Sequence, residues 1–142
     1  MIPEEYVADL PVRLALYRRL AEVENERDID AFAAELTDRF GKPPVEVEHL
    51  LQVVKIKALC RQANVEKIEG GPKGLVVSFR DNKFVHPERL VGFIRDQGAA
   101  ARVRPDMKVV FFGTWQSPEQ RLKGAANILR SLVRLAQPAK AA

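Results

Sequence analysis

Hydrophobic residues recur every three or four positions through the first 64 residues, which is the spacing of one face of an α-helix. Breaks in this pattern predict three helices. The first begins at Asp9 and Pro11, and the second begins at Asp28, a favourable N-cap. Gly41 and the two prolines after it end the second helix, because glycine accepts a left-handed conformation and proline cannot continue a helix. The third helix ends near Asn64.

The periodicity changes after residue 64, where β-branched and aromatic residues alternate with turn residues. Residues 65–79 (VEKIEGGPKGLVVSF) predict two strands around a glycine-rich turn, and residues 101–113 (ARVRPDMKVVFFG) predict a second pair. A short helix over residues 86–98 separates the pairs. The apolar run at residues 109–112 favours a strand that is buried on both faces.

The last helix begins at a capping box, in which Ser117 is followed three residues later by Gln120. Trp115 is expected to plug the entrance of this helix, which continues to Ala136. Strands joined by short turns pair antiparallel, so the predicted fold class is α+β. It has a small four-stranded antiparallel sheet made of two strand pairs, packed with about five helices in the order ααα-ββ-α-ββ-α. Residues 2–136 are predicted to form a single domain, with a frayed tail at 137–142.

The composition is that of a soluble globular protein, with 46% hydrophobic and 30% charged residues among 142. No apolar run approaches the roughly 20 residues that a membrane span needs, and the acidic N-terminus does not resemble a secretory signal. Cys60 is the only cysteine, which excludes an intramolecular disulfide and suits a reducing compartment. The sequence therefore predicts a cytoplasmic protein.

Catalytic, metal-binding and cofactor-binding patterns are not found. There is no glycine-rich loop that ends in Gly-Lys-Ser or Gly-Lys-Thr. His49 and Cys60 are eleven residues apart on one predicted helix, a separation of roughly 16 Å, so they cannot act as a base and a nucleophile. Two histidines and one cysteine do not make a zinc site. We predict that the chain is not an enzyme.

The charge is divided unevenly along the chain. Residues 22–48 contain nine acidic and three basic residues, a local charge of −6, whereas the whole chain carries +4 and the remainder therefore carries +10. An acidic segment in a basic protein favours a basic protein partner at least as much as it favours DNA.

The second predicted helix carries an acidic flank beside its apolar face. At 100° per residue from Leu36, four residues fall between about −80° and −160°: Asp28, Ala31, Glu35 and Asp38. One interpretation is a solvated face on which Glu35 and Arg39 form an i,i+4 pair. The alternative is a contact surface for a partner.

The last predicted helix carries a basic flank, formed by Lys123, Arg130 and Arg134. Such a flank could contact phosphates, which makes a nucleic-acid-binding module the alternative function. No aromatic residue is interleaved for base stacking, and a solvated face also accounts for the pattern.

Three strings carry a specific resemblance: IPEEYVADLPVRLALYRRLA, ELTDRFGKPPVEVEHLL and VEKIEGGPKGLVVSF. They strongly resemble the C-terminal domain of the bacterial transcription-repair coupling factor, the Mfd family. The resemblance runs from about Ile2 to about Leu135 in the same order of elements. It departs from the family mainly in the hairpin turn, in residues 96–104 and in the tail.

The resemblance implies a non-catalytic, regulatory domain of a DNA translocase. ATP, magnesium and most of the DNA are bound by motor domains upstream, so no cofactor, small-molecule substrate or membrane is expected here. In the family this domain packs reversibly on a UvrB-like N-terminal module of the same chain, masks the UvrA-binding surface and restrains the motor until RNA polymerase is engaged. The acidic flank is the expected interdomain interface: Glu35 and Asp38 would pair with arginines of that module, beside Asp28 and Ala31.

Overall fold

The computed structural model describes residues 1–138, which form five α-helices and one four-stranded sheet. The helices are α1 (Leu10–Ala21), α2 (Glu26–Phe40), α3 (Val45–Gln62), α4 (Pro87–Asp96) and α5 (Pro118–Ala136). The strands are β1 (Val65–Gly71), β2 (Gly74–Phe79), β3 (Ala101–Val103) and β4 (Val109–Phe112). The predicted fold class and order of elements are confirmed. Of the predicted frayed tail, residues 139–142 lie outside the described residues.

The chain divides within α3 into two compact units, Met1–Ala58 (unit 1) and the residues from Leu59 onward (unit 2). Unit 1 has twelve acidic and eight basic residues, a net charge of −4. Residues 59–138 of unit 2 have seven acidic and fourteen basic residues, a net charge of +7. That residues 2–136 form a single domain stays a prediction. Within residues 1–138, no helix has the apolar length that a bilayer crossing requires.

The core of unit 1 contains the apolar face that was predicted for the second helix. Ile29, Phe32 and Leu36 of α2 are each at most 3% exposed and belong to one buried cluster that includes residues of α1 and α3. Tyr6 packs against this cluster, and its hydroxyl ties the N-terminal segment to the end of α2 by donating to the carbonyl oxygen of Gly41 at 2.7 Å.

The predicted N-cap of α2 was wrong by three residues. The helix begins at Glu26, and the N-cap is Asn25, whose Oδ1 accepts a hydrogen bond from the amide of Asp28 at 2.9 Å. Asp28 is the third residue of the helix, where its carboxylate accepts from the amide of Glu24 at 3.4 Å. Asn25 thus caps the helix, Asp28 reaches back to the residue before the cap, and the acid is favoured at the positive end of the helix dipole. The predicted stop is confirmed: Gly41 has φ 87° and donates to Thr37 O.

The sheet lies in unit 2, with strand order β1-β2-β4-β3 and antiparallel pairing throughout the described strands. Contacts join α5 to β1 and α4 to β3. The prediction that residues 109–112 are buried on both faces was wrong. Buried Val109 and Phe111 alternate with more open positions, and Phe112 is 45% exposed because its ring lies under the guanidinium of Arg102 instead of under a core residue.

Trp115 packs at the entrance of α5 as predicted. A Cβ atom added at Gly124 would lie 2.3 Å from Cε2 of the indole, so the ring occupies the space that a side chain would need. Ser117 Oγ accepts from the amide of Gln120 at 3.1 Å. The Gln120 side chain reaches back to the amide of Gln116, one residue before the cap.

Candidate functional site

The acidic flank of α2 forms one side of a shallow hollow. Asp28, Ala31 and Glu35 line it, and its volume is about 310 Å³. Its other walls come from α2 and from the end of α1: Arg19, Glu22, Val23 and Phe32. The small side chain of Ala31 is exposed and leaves room between the two acids. We call this feature the acidic hollow. The structure brings together three of the four predicted interface residues.

Glu35 is paired within unit 1. Arg19 donates to both of its carboxylate oxygens, from Nη1 at 2.5 Å and from Nη2 at 2.8 Å. Arg39 Nη1 donates to Oε2 at 3.1 Å, which confirms the predicted i,i+4 pair. These hydrogen bonds, those from Arg19 first, lower the pKa of Glu35 to about 2. The same bonds raise the pKa of Arg19. Glu35 is therefore charged at every physiological pH and shares its charge with two arginines.

Both arginines also lie on aromatic rings. The Arg19 guanidinium carbon is 5.0 Å from the centroid of the Phe32 ring, and that of Arg39 is 4.8 Å from the Phe40 ring. Stacking on a ring limits the freedom of a long side chain and adds a favourable electrostatic contact. The wall formed by Arg19 and Glu35 is thus held in place before any partner binds.

In the described part of the chain, the other acidic residues of the hollow and of the acidic flank are not held by ion pairs as Glu35 is. Within residues 1–138, no ion pair reaches Glu22, Asp28 or Asp38. Asp38 lies in the last turn of α2 and does not line the hollow. A cation that approached this surface would therefore find these three carboxylates without an arginine or lysine partner from residues 1–138, unlike Glu35.

Sequence reasoning did not single out Arg19 or Glu22 as site residues. Glu22 belongs to the acidic segment of residues 22–48, and it is the C-cap residue of α1. Arg19 carried no local signal, because its partner Glu35 is sixteen residues away on another helix. Only the packing of α1 beside α2 makes the pair.

The basic flank of α5 consists of one open lysine and two arginines that bond to their own helix. Lys123 is exposed. Arg130 Nη1 donates to Asn127 Oδ1 at 2.7 Å, and Arg134 Nη2 donates to Ser131 Oγ at 3.1 Å. These contacts hold the arginines along the helix surface. Nucleic-acid binding by this flank stays a prediction.

Among residues 1–138, no group of three histidine, cysteine, aspartate or glutamate side chains is placed to hold a metal ion. Burial raises the pKa of the Cys60 thiol to about 11, so little nucleophilic thiolate is present at neutral pH. The acidic hollow instead presents carboxylates, whose negative charge attracts cations.

Comparisons with known proteins decide the family. The family model described as the TRCF domain matches residues 1–90. The chain belongs to the TRCF-domain family. Its relatives include transcription-repair-coupling factors of Rickettsia conorii (38% identical over 78% of this chain), Myxococcus xanthus (30% over 97%) and Escherichia coli K12 (26% over 93%).

This TRCF domain spans 10–12% of the length of those relatives. The fold also matches a crystal structure titled as the C-terminal domain of transcription-repair coupling factor, with a TM-score of 0.74 and 20% identity, over 94% of this chain and 86% of that one. That likeness supports the fold beyond residue 90, where the family model stops.

Proposed function

We propose that this TRCF domain is a regulatory domain of a transcription-repair coupling factor. It packs reversibly on the UvrB-like module of the same full-length chain, masks the UvrA-binding surface and restrains the translocase motor until RNA polymerase is engaged. The observation that carries the proposal is the acidic hollow. Its wall is already formed, its carboxylates at Glu22 and Asp28 have no ion-pair partner within residues 1–138, and the small side chain of Ala31 leaves space beside them.

The chemistry of the hollow suits a contact that must release. Contacts between domains that separate are more polar than obligate interfaces, whose apolar surfaces cannot be exposed cheaply. An arginine suits the hollow because its planar guanidinium binds carboxylates in a bidentate manner. Asp28 and Glu22 supply those carboxylates, and Ala31 leaves space for the incoming side chain.

The in-chain pairs of Glu35 change the part that it plays in the proposal. Its two oxygens already accept from Arg19 and Arg39, so a partner arginine gains less there than at an unshared carboxylate. The role of Glu35 in the interface is to hold the Arg19 side chain in position beside the hollow. Asp28 and Asp38, with Glu22, then provide most of the attraction for the partner's arginines.

Modest energies are sufficient for such a switch. A differential contact of about 1.4 kcal/mol changes the ratio of closed to open states tenfold. A few charge pairs that are partly shielded from solvent supply a coupling of this size.

The test places a cation in the hollow. Ala31→Lys, introduced into a full-length coupling factor that carries this domain, should raise both UvrA affinity and basal ATPase activity by about tenfold. The matched control is Thr37→Lys, because Thr37 is exposed on the opposite flank of the same helix. Both substitutions add one charge at an exposed position of α2, so the melting temperature of the domain should be nearly the same in both.

If Ala31→Lys changes neither UvrA affinity nor ATPase activity, the hollow is not the closing interface. Equal activation by Thr37→Lys would mean that net charge, and not the hollow, controls release. Either result rejects the assignment.

A further inference from the structure

Unit 2 contains an apolar groove that the proposed function does not use. Its volume is about 650 Å³, and it is formed by the segment before α4, by α4 itself and by the turn between β3 and β4. Val85, Val91, Val103 and Met107 line it, and they are 63%, 52%, 45% and 57% exposed. These are large apolar side chains left in water at one place. Concentrations of this kind mark interaction surfaces, whereas single exposed hydrophobic residues do not.

The walls of the groove are fixed. The side-chain amide of Asn64 donates to the carbonyl oxygens of Arg80 at 3.1 Å and Lys83 at 2.8 Å, which ties the segment before α4 to the end of α3. Phe84 packs edge-on against buried Phe79, with ring centroids 5.4 Å apart. The groove is therefore present without a ligand, and little ordering entropy opposes binding there.

The turn between β3 and β4 gives a second indication. Met107 has φ 71°, the left-handed region in which a side chain costs energy and glycine or asparagine is favoured. The turn is held by Asp106, whose carboxylate accepts from Arg104 at 2.8 Å and from the amide of Lys108 at 3.2 Å. A long apolar side chain at this strained position remains mostly in water, since it is 57% exposed. It does extend the apolar wall of the groove.

Charge indicates what kind of molecule fits. Among the described residues that line the groove, Lys83 is the charged one, and its ammonium group forms no ion pair within residues 1–138. Residues 59–138, which surround it, carry a net charge of +7. A second copy docked through the same face would bring two strongly positive units together, which is unfavourable. An anionic partner gains both from Lys83 and from the surrounding field.

We propose that this groove binds an amphipathic helix of a partner protein, with apolar anchors toward the groove and acidic residues along the flank. Apolar side chains of α4, of the segment before it and of the β3–β4 turn line the groove. Such a groove receives an amphipathic helix through anchors spaced three, four and seven residues apart. The surface lies in unit 2, so this proposal can fail while the role of the acidic hollow stands.

The experiment uses two designed helical peptides with identical leucine anchors, one flanked by glutamates and one by lysines. The ¹⁵N-labelled chain is titrated with each peptide while amide shifts are recorded. We expect the glutamate peptide to saturate with a Kd of about 10–100 µM and to shift amides of α4 and of the β3–β4 turn. The lysine peptide should bind at least tenfold more weakly.

Three variants test the residues. Val91→Glu and Met107→Glu should each weaken the glutamate peptide at least tenfold, and both positions are exposed enough for the fold to accept the change. Lys83→Glu should reverse the preference between the two peptides. Val45→Glu is the matched control, because Val45 is 71% exposed and lies in unit 1, and it should leave binding unchanged.

The proposal is overturned if neither peptide binds saturably up to about 1 mM, or if both bind equally. It is also overturned if sedimentation shows a dimer that Val91→Glu abolishes, since a second copy of the chain would then be the occupant.

Discussion

The acidic hollow and the apolar groove are opposite kinds of surface, each on its own unit of the chain. The hollow lies on a unit of charge −4 and is walled by carboxylates and arginines. The groove lies on unit 2, whose residues 59–138 carry +7, and its walls include valines, a methionine and aromatic rings. Under the two proposals, the first surface attracts a partner by charge and the second by removal of apolar surface from water. The two proposed contacts should therefore respond to different conditions.

The largest expected effects concern the two cores, and they show whether the units are thermodynamically separate. Leu36 of unit 1 and Leu129 of unit 2 are 1% and 0% exposed. Leu36→Ala and Leu129→Ala should each lower the free energy of unfolding by about 3 kcal/mol, since each leaves a cavity. If residues 2–136 form a single domain, calorimetry will give one transition that either substitution lowers. Two transitions, each sensitive to one substitution, would contradict that prediction.

Gly124 provides a smaller effect that is confined to unit 2. Gly124→Ala places a methyl group 2.3 Å from the indole of Trp115, so the ring must move, at a cost of about 1–3 kcal/mol. Gly92 in α4 is the control, because a Cβ there meets nothing within 4 Å. Gly92→Ala should stabilise the protein by up to about 1 kcal/mol. Chemical denaturation measures both, and equal effects at the two glycines would refute the packing of Trp115 on α5.

Salt should separate the two surfaces directly. Raising ionic strength from about 0.05 M to 0.5 M should loosen the closed state held by the acidic hollow and increase UvrA binding by about threefold to tenfold, because exposed charge pairs are screened. The peptide in the groove should lose affinity by a smaller factor, about threefold or less, because salt screens its charge contact but not its apolar burial. If salt changed peptide binding in the groove more than it changed UvrA binding, this comparison of the two surfaces would be wrong.

The smallest expected effect is a pH dependence that belongs to the hollow. The pKa of Glu35 lies at about 2 in the folded chain, below its usual value of 4.5. The unfolded state therefore binds this proton first, and the stabilising contribution of Glu35 is complete above about pH 4.5. It is lost as the pH falls toward 2.

Glu35→Gln tests this dependence. Its melting temperature should be slightly below that of the unsubstituted chain at pH 6, and the difference should vanish near pH 2. Exposed ion pairs contribute little, so the shift will be small. A difference that persists or grows at pH 2 would show that Glu35 acts through packing and not through its charge.

Most of the fold could be predicted from local patterns. Ile29, Phe32 and Leu36 recur at helical spacing, and the strands of residues 65–79 alternate around turn residues, so their neighbours in sequence define these elements. The predictions that failed were of two kinds. One depended on a choice between two residues that can each cap a helix, and the other on burial by residues distant in the sequence. Asn25 competed with Asp28 for the cap, and both are good acceptors. Whether Phe112 is covered depends on what packs over it, and the apolar run cannot indicate that.

The candidate site was predicted in part, for the same physical reason. A helical projection places Asp28, Ala31 and Glu35 on one flank, because residues on a regular helix keep fixed angular offsets. It does not indicate what lies opposite. Arg19 reaches Glu35 from another helix, and that contact decides which acids remain unshared.

The sequence by itself determined the element order, the buried stripes and the division of charge, since these follow from residue type and spacing along the chain. The tertiary structure alone decided that Glu35 pairs with Arg19, that Ala31 lies in a hollow, and that Val91 and Met107 share a groove. Those features join residues that are far apart in sequence. Their positions depend on the packing of whole elements, which no local pattern encodes.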